Sequence, residues 1–250
     1  MYIRNSKCIC NKYKDINDIP LNERINCTSY WRKGYIFENG KSYECPCHTF
    51  YRLKERYDML SSRWNLPNSD ELKNLKYIGD SKNSFDKLMK IDELIDNKKL
   101  KGVLFLITGT FNNQKTTSIA HFIFKIITSG KTAEYISFND IIKKIQDQED
   151  ISIYKNVDYL IIDDCFQGEI INFKSLYNTL YNIILRQKEN VILVSNLNEK
   201  EIMDRKDKPF YTELIPIILD KINKYNTRIE FNDNLEKLKI FGNKQIDLWS

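Results

Sequence analysis

From residue 103 onward, short apolar runs alternate with longer amphipathic stretches. The runs cover 103–107, 133–137, 159–162, 191–195 and 227–231. Between them, 116–128, 139–147, 172–187 and 199–224 carry apolar residues at helical spacing, the last interrupted near Pro209 or Pro216. Short runs without polar alternation suit strands buried on both faces, and the helical stretches supply the cover. The pattern predicts an α/β domain on a five-stranded parallel sheet. Upstream, 51–64 (YRLKERYDMLSSRW) reads as a helix with several basic side chains, ended by Leu66-Pro67-Asn68-Ser69. Ser84 is placed to cap a second helix over 85–98, whose Leu88, Met89, Ile91, Leu94 and Ile95 recur at helical spacing.

Composition narrows the class. The 250 residues are 42% hydrophobic and 29% charged, which suits one full domain plus a small module and excludes a disordered chain. The longer apolar stretches are short or interrupted by His121 and Lys125, so no membrane span is expected. The first residues, MYIRNSK, lack the apolar core of a signal peptide, and the expectation is a cytoplasmic protein. A net charge of +5 permits a nucleic-acid partner without predicting one.

Five of the six cysteines fall within the first 47 residues: Cys8, Cys10, Cys27, Cys45 and Cys47, with His48 next in line. In a reducing compartment such clustering points to metal rather than disulfides. Two Cys-x-Cys pairs flanking the turn-rich Glu38-Asn39-Gly40 could bring four thiolates to one tetrahedral Zn²⁺. Metal binding would supply folding energy that so small a segment lacks. The preferred ligands are Cys10, Cys27, Cys45 and Cys47, with Cys8 and His48 in reserve, and free thiols are the alternative.

The first predicted strand runs into Gly109-Thr-Phe-Asn-Asn-Gln-Lys115-Thr116-Thr117, and a helix follows. Strand, loop and helix in this order are the setting of a Walker A phosphate loop. Backbone N–H groups and the helix N-terminus surround the phosphates, Lys115 reaches the β- and γ-phosphates of ATP, and the Thr116 hydroxyl holds Mg²⁺. Gln114 stands where the motif's last glycine belongs, and its side chain would crowd the nucleotide. Asn112 and Asn113 tolerate positive φ better than most residues and could replace glycine there. The third predicted strand ends in Asp163-Asp164, the Walker B form. Asp163 would bind Mg²⁺ through water and Asp164 would orient or deprotonate the attacking water. The fourth ends in Ser195-Asn196, a candidate contact for the γ-phosphate or that water. Beside the carboxylates, Cys165 reads as a packing residue, and His121 as packing or solvated rather than catalytic. Arg186 suits either a helix C-terminus or a neighbouring subunit.

Together these residues resemble the DnaC/DnaI-type helicase loaders of bacteria and phages, a branch of the AAA+ ATPases. The resemblance runs from about Cys27 to Phe231. It rests on Gly34-Tyr-Ile-Phe-Glu-Asn-Gly40 with Cys45-Pro-Cys47, on Asp158-Tyr-Leu-Ile-Ile-Asp-Asp164, and on 176–186 (LYNTLYNIILR) running on to Val194-Ser-Asn-Leu197. It implies a zinc-binding, helicase-contacting module over 1–50, a helical linker over 51–80 and an AAA+ ATPase domain of the RecA-like P-loop class over 81–250. It further implies partners: a hexameric replicative helicase of the DnaB kind and single-stranded DNA. A homo-oligomer is left open.

The chain departs from that family at Asn112 and Gln114, where its loop has glycines. Across 213–222, where the family carries arginines acting in trans or as a second sensor, Ile217 and Lys221 stand instead, and the nearest arginine is Arg228. Lysine cannot reproduce the guanidinium fork, which puts trans-activated hydrolysis in question for Lys221 and Arg228 as catalytic groups. The alternatives are a non-hydrolysing adaptor of DNA replication and another P-loop ATPase of a mobile element.

Overall fold

The computed structural model describes residues 35–38, 41–44, 46–74, 80–98, 100, 102–109, 114–167, 173–185, 190–205, 209–225 and 227–231. The chain divides into two compact units, Met1–Leu60 and Ser61–Ser250. This division falls inside a helix.

In the first unit, β1 (Tyr35–Glu38) and β2 (Lys41–Glu44) pair antiparallel, with Tyr35 opposite Glu44 and Glu38 opposite Lys41. The two intervening residues are Asn39-Gly40, the dipeptide that tight two-residue hairpins favour. Helix α1 (Pro46–Trp64) starts five residues before the expected 51, with proline at its first position, where a missing N–H costs nothing. Cys10, Cys27 and Cys45 lie outside the described residues, as does Cys8. Cys47 and His48 belong to the first turn of α1, but their side chains are also outside.

The second unit begins as α1 ends. Asn65 takes a left-handed φ of 55°, and the Leu66 N–H donates back to the Ser61 carbonyl at 2.9 Å. The expected break then holds a short helix, α2 (Ser69–Lys73), set by a capping box. Asn68 Oδ1 accepts from the N–H groups of Asp70 and Glu71, and Glu71 Oε2 accepts from the Asn68 N–H. Helix α3 (Asp80–Lys98) corrects the placement of Ser84. Ser84 does not cap the helix. It lies inside it, buried, and its hydroxyl donates to the Glu230 carbonyl at 2.6 Å, tying α3 to the sheet.

Then β3 (Leu104–Gly109), α4 (Lys115–Thr128), β4 (Ala133–Ser137), α5 (Phe138–Gln146), β5 (Tyr159–Asp163) and α6 (Phe173–Leu185) follow. The chain continues with β6 (Asn190–Val194), α7 (Glu199–Asp204), α8 (Pro209–Tyr225) and β7 (Arg228–Phe231). The stretch over 199–224, expected to be interrupted near Pro209 or Pro216, is two helices, and Pro209 opens the second. Pro216 sits inside α8 on its exposed side, while Leu214, Ile215, Ile218, Leu219 and Ile222 are buried and hold the helix through the lost hydrogen bond.

The sheet is parallel throughout, in the order β4-β5-β6-β3-β7. All residues of β3 and β5 are buried, as continuous apolar runs require of strands covered on both faces. One buried polar staple crosses this core. Asp92 on α3 accepts from the Tyr159 hydroxyl at 2.7 Å and pairs with the Lys131 ammonium at 2.6 Å. Because β3 starts mid-sheet, with β6 on one side and β7 on the other, the chain reverses direction across β3 and β6. The carboxyl ends of strands at such a reversal are where open α/β sheets bind ligands. No helix among the described residues is long and apolar enough to cross a membrane.

Candidate functional site

At the carboxyl end of β3, Gly109 takes a φ of 146°, which a side chain would resist. Residues 110–113, including Asn112 and Asn113, lie outside the described residues. The chain re-enters at Gln114, which takes the left-handed region with φ 61° and ψ 18° and does not cap the following helix with its side chain. Lys115 opens α4 and is 5% exposed. Its ammonium donates to the Gly109 carbonyl at 2.6 Å, closing the loop onto the strand it left. Thr116 is exposed on the first turn of α4 and Thr117 half-buried. The Thr117 carbonyl lies 3.4 Å from His121 Nδ1, and the His121 ring meets Phe85 edge-on. His121 is thus a packing residue.

Asp163 ends β5 and is buried. Its Oδ2 accepts from the Tyr135 hydroxyl at 2.6 Å and its Oδ1 from the Asp164 N–H at 2.7 Å. Burial pushes the Asp163 carboxyl above the usual carboxylate range, with the charge of Asp164 adding to the rise. Those two hydrogen bonds and the Lys115 ammonium pull the other way. Tyr135 is half-buried beside this carboxylate; its partial burial and the Asp163 charge push its phenol well above the ordinary value, so that it stays protonated and donates.

The turn after β5 is strained at two residues, with φ 55° at Asp164 and 67° at Phe166. Aspartate tolerates this region; a phenylalanine does so only when packing over-determines it. Phe166 is fully buried in the core, against Phe138. The turn is also tied to its neighbour. The Cys165 N–H donates to the Val194 carbonyl and the Ser195 hydroxyl to the Cys165 carbonyl, while the Ser195 N–H reaches the Ile107 carbonyl on β3. Held this way, Asp164 Oδ1 accepts from Asn196 Nδ2 at 2.8 Å. Cys165 is buried packing, as its sequence context suggested.

The structure thus brings Gly109, Lys115, Asp163, Asp164 and Asn196 to one edge of the sheet. Carboxylate oxygens are hard donors suited to Mg²⁺, and an ammonium beside a helix N-terminus suits phosphate, so the chemistry of these residues would suit Mg-ATP. Among the described residues no group of three or more His, Cys, Asp or Glu could hold a metal. A Mg²⁺ here would take much of its coordination from the nucleotide and water, its usual habit in such sites. Lys221, half-buried on α8, has its pKa lowered by burial. Arg228 opens β7 opposite Leu106, three residues back from the level of Gly109, and forms a two-pronged ion pair with Glu199. It is engaged there, and not with Asp163 or Asp164. The residue that sequence reading missed is Tyr135. Its signal is faint: alternation places it on the same face of β4 as Ser137, and Ser137 pairs in register with Asp163.

No family model and no curated protein sequence matches the chain. Among solved structures it is similar to DnaI, with a TM-score of 0.51 and 12% identity, over 73% of this chain and 100% of that one. It is also similar to the DnaC helicase loader, with a TM-score of 0.46 and 17% identity, over 71% of this chain and 98% of that one. A third is AMPPCP-bound DnaA from Aquifex aeolicus, with a TM-score of 0.47 and 15% identity, over 66% of this chain and 51% of that one. At such identities the likeness to DnaI shows the fold alone: an α/β arrangement on a five-stranded parallel sheet. The α/β class and the five-stranded parallel sheet are those that the hydrophobic pattern predicted.

Proposed function

We propose that this chain is an ATP-dependent helicase loader, which binds a hexameric replicative helicase of the DnaB kind and helps place it on single-stranded DNA as replication begins. The observation that carries the reading is the placement of Lys115, Asp163, Asp164 and Asn196 at the carboxyl ends of three adjacent parallel strands, with Lys115 tied to Gly109 and Asn196 bonded to Asp164. The first N–H groups of α4 and the Lys115 ammonium bind the phosphates. Thr116 and Asp163 hold Mg²⁺, which when bound neutralises charge on the phosphate oxygens. Asp164 orients or deprotonates the attacking water, and Asn196 fixes the angle of that carboxylate. Cys10, Cys27, Cys45 and Cys47 hold one Zn²⁺, and the module they build, residues 1–50, contacts the helicase. That part rests on the sequence and its family resemblance alone.

A second reading, a nucleotide-binding adaptor that does not hydrolyse, is favoured by two observations. Gln114 occupies a left-handed position at the N-terminus of α4, and Glu199 already holds Arg228. Loading tolerates slow turnover if ATP binding itself selects the helicase-bound conformation. The deciding experiment is co-elution with a DnaB-type hexamer, with and without ATP, for the wild-type chain and Lys115→Ala. The loader reading expects ATP-dependent co-elution that Lys115→Ala loses. Failure to co-elute under either condition would overturn it, and steady-state turnover then separates switch from adaptor.

A further inference from the structure

The carboxylate that would hold Mg²⁺ is joined, side chain by side chain, to the end of helix α1. Tyr135, whose hydroxyl donates to Asp163 Oδ2, lies on β4, an edge strand of the sheet. Its ring packs against Trp64, with centroids 6.4 Å apart and planes tilted by 53°. The guanidinium of Arg63 sits 5.3 Å from the centre of the Trp64 ring and pairs with Glu134 at 2.5 Å. Glu134 and Tyr135 are consecutive strand residues, so their side chains leave opposite faces of β4. The last turn of α1 therefore grips the edge strand on both sides. On one side the grip is an ion pair at the rim. On the other it is an aromatic contact whose far end is a hydrogen bond to the metal carboxylate.

We infer that Tyr135 is a positioning residue for Asp163, and that through it the binding of Mg-nucleotide and the packing of Trp64 on β4 are coupled. The inference rests on the nucleotide reading above. A carboxylate has about four lone-pair sites, and the Asp163 oxygens already use two, for Tyr135 and for the Asp164 N–H. The remaining directions are those open to a metal or its water, and Tyr135 selects them by fixing the rotation of the carboxylate. Groups that orient a metal ligand from behind govern affinity in this way. Because Tyr135 is also packed against Trp64, a shift of the carboxylate on metal binding must be absorbed by the aromatic pair. A shift of the α1 terminus must in turn rotate the carboxylate. Such coupling is reciprocal by thermodynamic necessity.

The experiment uses the full chain with Trp31→Phe and Trp249→Phe, which leaves Trp64 as the one tryptophan of the original 3. Affinity for a non-hydrolysable ATP analogue is titrated against Mg²⁺ and in EDTA, with Trp64 emission recorded alongside. Tyr135→Phe keeps the ring and removes only the hydroxyl. It should raise the Mg²⁺ concentration for half-saturation about tenfold, while metal-free nucleotide affinity is retained. It should also abolish the Mg²⁺-dependent part of the Trp64 signal, which a merely structural role for the ring would not touch. Trp64→Leu, read by nucleotide affinity, should raise the Mg²⁺ requirement by about threefold with the phenol still in place. This second variant decides the matter if Tyr135→Phe does not fold. A wild-type chain that binds Mg-nucleotide, with variants of unchanged Mg²⁺ requirement, overturns the coupling and leaves the functional reading intact. A wild-type chain that binds no nucleotide at millimolar Mg-ATP overturns both.

Discussion

Replacing Gln114 by glycine should improve the protein twice over, and the two gains can be separated. Gln114 is held at φ 61° and ψ 18°, a conformation that crowds Cβ against the following carbonyl. A non-glycine residue there costs roughly 1–2 kcal/mol. Glycine removes that cost but brings a more flexible unfolded chain, worth roughly 0.5–1 kcal/mol in the opposite sense. The net expectation is a stabilisation of about 0.5–1 kcal/mol, which for a unit of this size raises Tm by roughly 1–4 °C. Separately, removing the side chain lets the loop backbone approach the phosphates, and a gain of about 1 kcal/mol there would tighten nucleotide binding about fivefold. Gln114→Ala isolates the second effect, because alanine keeps the left-handed cost and loses only the bulk. The assay is thermal melting without ligand, paired with equilibrium binding of labelled ATP, for wild type, Gln114→Gly and Gln114→Ala. Both variants should bind better, and only glycine should melt higher. A glycine variant that melts lower than wild type, or an alanine variant that rises as far as glycine, would refute the strain argument.

Other expectations follow from particular contacts. Ser84→Ala removes a buried hydroxyl and leaves the Glu230 carbonyl without that donor, so chemical denaturation should show a loss of about 1–2 kcal/mol. Arg228→Ala and Glu199→Ala should each destabilise by about 1–2 kcal/mol, and the double variant should lose clearly less than their sum. Additive losses would show that the ion pair contributes nothing. Burial lowers the pKa of His121, against the opposing pull of the Thr117 and Leu72 carbonyls. The folded chain is then the poorer proton binder, so stability should fall as pH drops from 6.5 through the lower folded value. Denaturant melts above and below that pH should show the decline in wild type and a flatter profile in His121→Phe. Metal analysis of the purified chain should return close to one zinc, lost in the Cys45→Ser/Cys47→Ser double variant; a fully folded, metal-free module would exclude the zinc reading.

Much of the molecule is written in local pattern. The runs that become β3 and β5 are apolar without interruption because both faces of a parallel strand are covered, and that signature needs only neighbouring residues to be seen. The order of strand, loop and helix around Lys115, and the paired carboxylates closing β5, were legible for the same reason: each lies within a few residues of its own element. Helix starts were less legible. Ser84 looked like a cap because caps are short-range signals, yet α3 begins before it and its hydroxyl serves a strand 146 residues away. The Asp92–Tyr159–Lys131 staple and the engagement of Arg228 by Glu199 carry no local signature, and the bond from Tyr135 to Asp163 only the alternation along β4. Periodicity says which face of an element is apolar, and so specifies the elements and the class of sheet. Which side chains then meet depends on strand order and register, and those are set by how all the elements bury their faces together. The sequence by itself determined the strands and the class of sheet; only the tertiary structure decided that an edge-strand tyrosine donates to the buried Asp163 carboxylate, because that contact depends on strand order and register.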